Sequence, residues 1–153
     1  MTKAPRRIVP GLAMLLAFPA LGAAAESEGP PPDFVVGDYV LVGREPDGGA
    51  TYSGTARIDM VDGATARFIL ERRVGTSTVT ARGAFEVPSP PGEGRVLRFR
   101  WQEPQPVVMT CLIGTDLDNY ARLTCLWSRA GAETDLPGLE AMFPTGAWPD
   151  SQK

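Results

Sequence analysis

The chain has 153 residues, 43% of them hydrophobic, with 15 basic residues against 18 acidic ones and no histidine. A net charge of −3 argues against nucleic acid as a general partner. The missing histidine excludes serine–histidine–aspartate and cysteine–histidine nucleophile pairs and every histidine-ligated metal site, and the two cysteines are too few for a four-cysteine zinc site.

The N-terminus, "MTKAPRRIVPGLAMLLAFPALGAAAESEG", places Lys3, Arg6 and Arg7 before an apolar run, then small residues, then an acid. That is the order of a secretory signal peptide. Pro10 and Pro19 interrupt the run, whereas a membrane span needs about 20 predominantly apolar residues. Residues 1–25 are therefore read as a cleaved leader, with Ala23, Ala24 and Ala25 as the peptidase site and Glu26 as the mature start. No cysteine follows the run to carry a lipid. The expected product is a periplasmic or secreted domain with no membrane span, 153 less 25, or 128 residues long. Three of the 15 basic residues leave with the leader, so 12 remain against 18 acids, a net −6.

Residues 26–36 begin "ESEGPPP" and read as a flexible, proline-rich lead-in. From there the pattern is β. "TYSGTARIDM" alternates strictly, with Tyr52, Gly54, Ala56, Ile58 and Met60 on one side and Thr51, Ser53, Thr55, Arg57 and Asp59 on the other, as a half-buried antiparallel strand does. "TVTARGAFEV" puts Val79, Ala81, Gly83, Phe85 and Val87 inward, and "VLRFRW" puts Leu97, Phe99 and Trp101 inward. Further strands are expected over 39–44, 66–73, 107–113, 120–127 and 139–143. Turn chemistry separates them at Pro46 to Gly49, Asp62-Gly63, Gly75, the loop 88–94 and 116–119. The stretch after Asp135 has room for one helical turn, which Pro137 and Gly138 keep short.

About eight short strands joined by short links predict an all-β, antiparallel, up-and-down barrel or strongly bent meander over 37–145, of lipocalin-like or avidin-like shape, followed by a tail over 146–153. Closure would remove the edges on which an open meander aggregates. Gly43, Gly54 and Gly83 fall on inward parity beside aromatic residues, where a small barrel needs sharp bends or the close approach of another side chain.

Cys111 and Cys125 share inward parity on two neighbouring strands, opposite each other across the turn at Asp118. In an exported chain they are expected to form a disulfide.

"GDYVLVG", "REPDGGATYSGTARI", "LTCLW" and "GLEAMFP" together resemble a family of small exported bacterial β-proteins often labelled fibronectin-binding proteins. Gly37, Tyr39, Gly43, Asp47, Gly48, Tyr52 and Gly54 match its G-x-Y-x-x-x-G, D-G, Y-x-G opening. Leu123, Trp127, Gly138 and Glu140 match its L-x-G-x-W strand and closing G-x-E. The resemblance implies a fold rather than an activity. Cys125 stands where the pattern has glycine, and "ARFILERR" lacks the aromatic-rich ending that relatives show.

Asp116 and Asp118 read as a hairpin turn rather than a calcium loop, which needs more oxygen ligands and a bending glycine. "PDGG" lacks the spacing, lysine and helix of a phosphate loop. Tyr39, Tyr52, Phe68, Phe85, Phe99, Trp101 and Trp127 share inward parity, and they either fill a core or line a pocket for a small apolar ligand. Arg67, Arg73, Arg82, Arg98 and Arg100 point outward on three neighbouring strands. Between Arg67 and Arg100 there are seven arginines and three glutamates, which makes a basic face for an anionic partner such as a protein or glycan, or simply a solvated wall. No cofactor or metal is expected.

The function these features predict is non-catalytic binding by an exported module. The alternatives are a lipocalin-like carrier and, more distantly, a hydrolase using carboxylates alone, which would need two of them facing across a cleft.

Overall fold

The computed structural model describes residues 30–87, 95–115, 121–131 and 135–145. Eight antiparallel strands, β1 (Gly37–Arg44), β2 (Thr51–Asp62), β3 (Arg67–Val74), β4 (Ser77–Glu86), β5 (Val96–Glu103), β6 (Gln105–Thr115), β7 (Ala121–Arg129) and β8 (Gly138–Pro144), follow one another around a closed barrel. Each strand pairs with its sequence neighbours, and β8 returns to pair with β1 through Tyr39 opposite Pro144 and Arg44 opposite Leu139. Closure leaves no unpaired sheet edge. The expected leader, the expected turns at 88–94 and 116–119 and the expected tail over 146–153 lie outside the described residues.

The alternation in sequence becomes the two faces of the wall. Tyr39, Phe68, Phe99, Leu41, Ile58, Leu70, Leu97, Met109, Leu123 and Met142 each expose 2% or less of their surface. The interior is filled by these side chains, and Phe68 meets Phe85 edge to face at 5.2 Å between ring centroids. Cys111 and Cys125 sit opposite each other on β6 and β7, fully buried and joined by a disulfide.

Three local expectations are corrected. Within the proline-rich lead-in, Pro32–Val35 forms a 3₁₀ turn with Val35 completely buried, and the Tyr39 hydroxyl donates to the Val35 carbonyl at 2.8 Å. Phe34 packs on the core as well, so the apolar pair after the prolines closes the end of the barrel at which β1 begins. Met60 keeps its inward parity, opposite Phe68, though it is 39% exposed, and a bulge after it, between Met60 and Asp62, leaves Val61 outside the alternation. Val87 lies past the end of β4 and is 64% exposed. Asp135 and Leu136 make a bend rather than a helical turn, and the segment is tied down from outside instead. Asp47 N–H donates to the Leu136 carbonyl at 2.9 Å, and Leu136 N–H donates to the Asp47 carboxylate at 3.2 Å.

Candidate functional site

The end of the barrel where β1, β3, β5 and β7 finish is polar and aromatic. Its centre is an ion pair between Arg72 of β3 and Glu140 of β8, with side chains only 10% and 0% exposed. Arg72 donates through Nε at 2.9 Å and Nη2 at 2.7 Å to the same carboxylate oxygen. The Tyr52 hydroxyl donates to Glu140 at 2.8 Å and accepts from Trp127 Nε1 at 3.0 Å. Arg72 also lies over the Tyr52 ring, 5.0 Å from its centroid.

Two glycines make this meeting possible. Gly43 of β1 pairs with Tyr52 on one side and Glu140 on the other. A Cβ there would collide with the Tyr52 ring and hydroxyl. The missing side chain lets the ring cross β1 and place its oxygen against β8. Gly138 does the same for Trp127, whose indole would strike any Cβ at that position. Thus β7, β8, β1 and β2 are bound together by a tryptophan and a tyrosine lying across two glycines. Gly83, opposite Phe99, repeats the arrangement in the core.

The electrostatics follow from burial. Burial works against the charged form of Arg72, but the hydrogen bonds and charge of Glu140 outweigh it and hold the guanidinium above its ordinary value. Desolvation, with the Glu140 charge behind it, pushes the Tyr52 phenol well up. Tyr39, at the other end, is raised by burial to about 12.

Around this cluster lies a cavity of about 260 Å³, lined among others by Arg72, Val79, Trp101, Val107, Trp127 and Arg129. At its rim Arg129 stacks over Trp127 at 5.0 Å and donates to Glu45 at 3.2 Å.

Of the aromatic residues read as core or pocket, Tyr39, Phe68 and Phe99 lie in the filled interior and Phe85 packs against it. Tyr52, Trp101 and Trp127 border the polar end. The outward arginines Arg67, Arg73, Arg82, Arg98 and Arg100 are half-buried to exposed on β3, β4 and β5. Carboxylates share the wall with them: Arg98 and Arg100 both bind Glu86, at 2.7 and 2.6 Å, and Arg73 reaches Glu71. Sequence reasoning assigned no role to Arg72. The signal was present, since it follows Phe68 and Leu70 on inward parity.

The other half of the wall differs in character. On β6, β7, β8 and β1, Leu112, Leu126, Leu139, Val40 and Val42 are 42 to 56% exposed. Register joins them, with Leu126 opposite Leu139, and Val42 opposite Ala141. Between β7, β8, β1 and β2, Val42 and Leu139 border an open, largely apolar groove of about 690 Å³. Arg44 lies along it, and its buried Nε has no hydrogen-bond partner among the described residues.

Among the described residues no three side chains converge as metal ligands, and no helix is long and apolar enough to cross a membrane. No protein-family model, curated protein or solved structure matches the chain.

Proposed function

We propose that the protein is an exported, non-catalytic binding module, periplasmic or secreted, that holds a protein partner on the apolar half of its outer wall. The observation that carries this reading is the groove beside Val42 and Leu139. It combines an apolar floor with a guanidinium nitrogen that lacks a partner among the described residues. Apolar side chains gathered on one side of a wall whose other side is charged are characteristic of an interaction surface. A closed barrel offers no edge for strand addition, so a partner must be held through side chains.

Two features weigh against the alternatives. A carrier with its ligand deep in the barrel needs volume that the core side chains occupy. A hydrolase needs a carboxylate free to act, and Glu140 is held by Arg72 and Tyr52. The likeness to exported β-proteins labelled fibronectin-binding and the signal-like N-terminus support export, as does the disulfide.

The test is retention of proteins from the extracytoplasmic fraction of the native host on immobilised mature protein. Retention should be lost in the double variant Val42→Lys/Leu139→Lys and persist in Arg98→Ser/Arg100→Ser. The same proteins bound equally by all three forms would exclude the apolar wall as the binding face.

A further inference from the structure

The cavity at the polar end is separate from the outer-wall groove. We propose that it is a binding site for a small aromatic carboxylate, whose ring lies among Trp101, Trp127, Val79 and Val107 and whose carboxylate meets Arg72 and Arg129.

About 260 Å³ is at the small end of ligand cavities, enough for one ring and a short polar group. The walls divide into an apolar part with two indoles and a polar part with two guanidiniums. Indole faces and valines suit a flat apolar ring. The two arginines determine the charge of the ligand.

Arg72 gives Nε and Nη2 to Glu140, and no hydrogen bond joins Nη1 to any described residue. Glu140 is fully buried behind the guanidinium and is not part of the cavity wall. The wall itself has Arg72 and Arg129 against the single described carboxylate of Glu45. A cation would meet two like charges there, whereas a carboxylate would meet two donors of the planar, forked kind that bind it best.

Glu45 is the replaceable counter-ion. Its bridge to Arg129 is 3.2 Å long with side chains 39% and 40% exposed, a solvent-screened ion pair of the weak class. An incoming carboxylate can take that place at little cost. The Arg72–Glu140 pair, buried and doubly hydrogen-bonded, stays intact and fixes the inner donor. Both guanidiniums are already oriented by ring stacking, Arg72 on Tyr52 and Arg129 on Trp127, so little ordering entropy is lost on binding.

Mature protein titrated with benzoate should show a saturable change in tryptophan fluorescence and a matching heat of binding. Benzamide and benzyltrimethylammonium, which keep the ring and change the charge, should bind at least about tenfold more weakly, the loss expected when a charge-assisted hydrogen bond is removed. Arg129→Gln should weaken benzoate by a similar factor. Val79→Phe, which fills the cavity without altering charge, should abolish binding. Arg129 is half-exposed, so its variant remains decisive whatever Val79→Phe does to folding. No saturable response to benzoate, equal affinity for benzamide, or full affinity in Arg129→Gln would each overturn the site. Val42→Lys/Leu139→Lys should leave benzoate binding unchanged, which separates failure of this site from failure of the outer-wall reading.

Discussion

Arg72 and Glu140 are 68 residues apart in the chain and 2.7 Å apart in the barrel, a buried ion pair that joins β3 to β8 across the mouth of the closed sheet. Removing one partner strands the other. Arg72→Met should cost about 3–5 kcal/mol, because it leaves a buried carboxylate without its counter-charge. The double variant Arg72→Met/Glu140→Leu should be more stable than Arg72→Met alone. Urea unfolding of the two single variants and the double gives the coupling directly, and additive losses would mean the pair does not act as a unit.

Gly43→Ala should destabilise by about 1–3 kcal/mol, since a methyl group there overlaps the Tyr52 ring and overpacked sites lose stability on that scale. Adding Tyr52→Leu should recover part of the overlap term while losing the hydrogen bonds to Glu140 and Trp127. If Gly43→Ala costs as much in the Tyr52→Leu background as alone, backbone effects rather than the ring explain the glycine.

The strands were legible because period-two alternation is an immediate consequence of pleating, and it placed the aromatic core residues on their correct face. Parity also marked Arg72 and Glu140 as inward, but parity cannot say which two inward residues meet. That depends on the stagger at which β8 closes on β1, a property of the whole barrel. Gly43, Tyr52, Trp127, Gly138 and Glu140, five of the residues of the glycine–aromatic pattern, converge at this one end for the same reason. The bulge after Met60 left no mark, because Val61 is as apolar as a buried neighbour would be while standing 64% exposed. The plug at Phe34 and Val35 was hidden by three prolines that made its surroundings look unstructured.

The disulfide closes a sequence separation of 14 between adjacent strands. Cys111→Ala/Cys125→Ala should lose roughly 3 kcal/mol in the chain-entropy model, and dithiothreitol should lower the melting temperature of the native protein alone. A reductant-insensitive melting temperature would show that the barrel is held without it.

Tyr39 predicts an alkaline limit. Its folded pKa, about 12, lies above the ordinary 10.0, so the unfolded chain ionises first as pH rises. The Tyr39 contribution to stability should be constant below pH about 10 and fall between there and about 12, by on the order of 2 kcal/mol. Tyr39→Phe should flatten that fall while losing the hydrogen bond to Val35. Absorbance titration of the phenolates alongside denaturant melts checks both.

Glu86 controls the arginine wall. Arg82 and Arg100 stand directly opposite each other on β4 and β5, a repulsive pairing, and Glu86 offsets it by binding Arg100 and Arg98 together. The hydrogen bond from Arg100, helped by both positive charges, lowers the Glu86 pKa. A carboxylate lowered on folding contributes stability above its unfolded pKa and loses it as pH falls through the folded value. With the side chain 29% exposed, the contribution should be no more than about 1 kcal/mol. Glu86→Gln should therefore lower stability slightly at neutral pH and not in acid. It should also strengthen retention on an anionic matrix at low salt if the wall recruits anions, and Arg98→Ser/Arg100→Ser should weaken it with little change in melting temperature. Retention that ignores both variants would leave the arginines as a solvated surface, with Glu86 serving only to reconcile like charges across two strands.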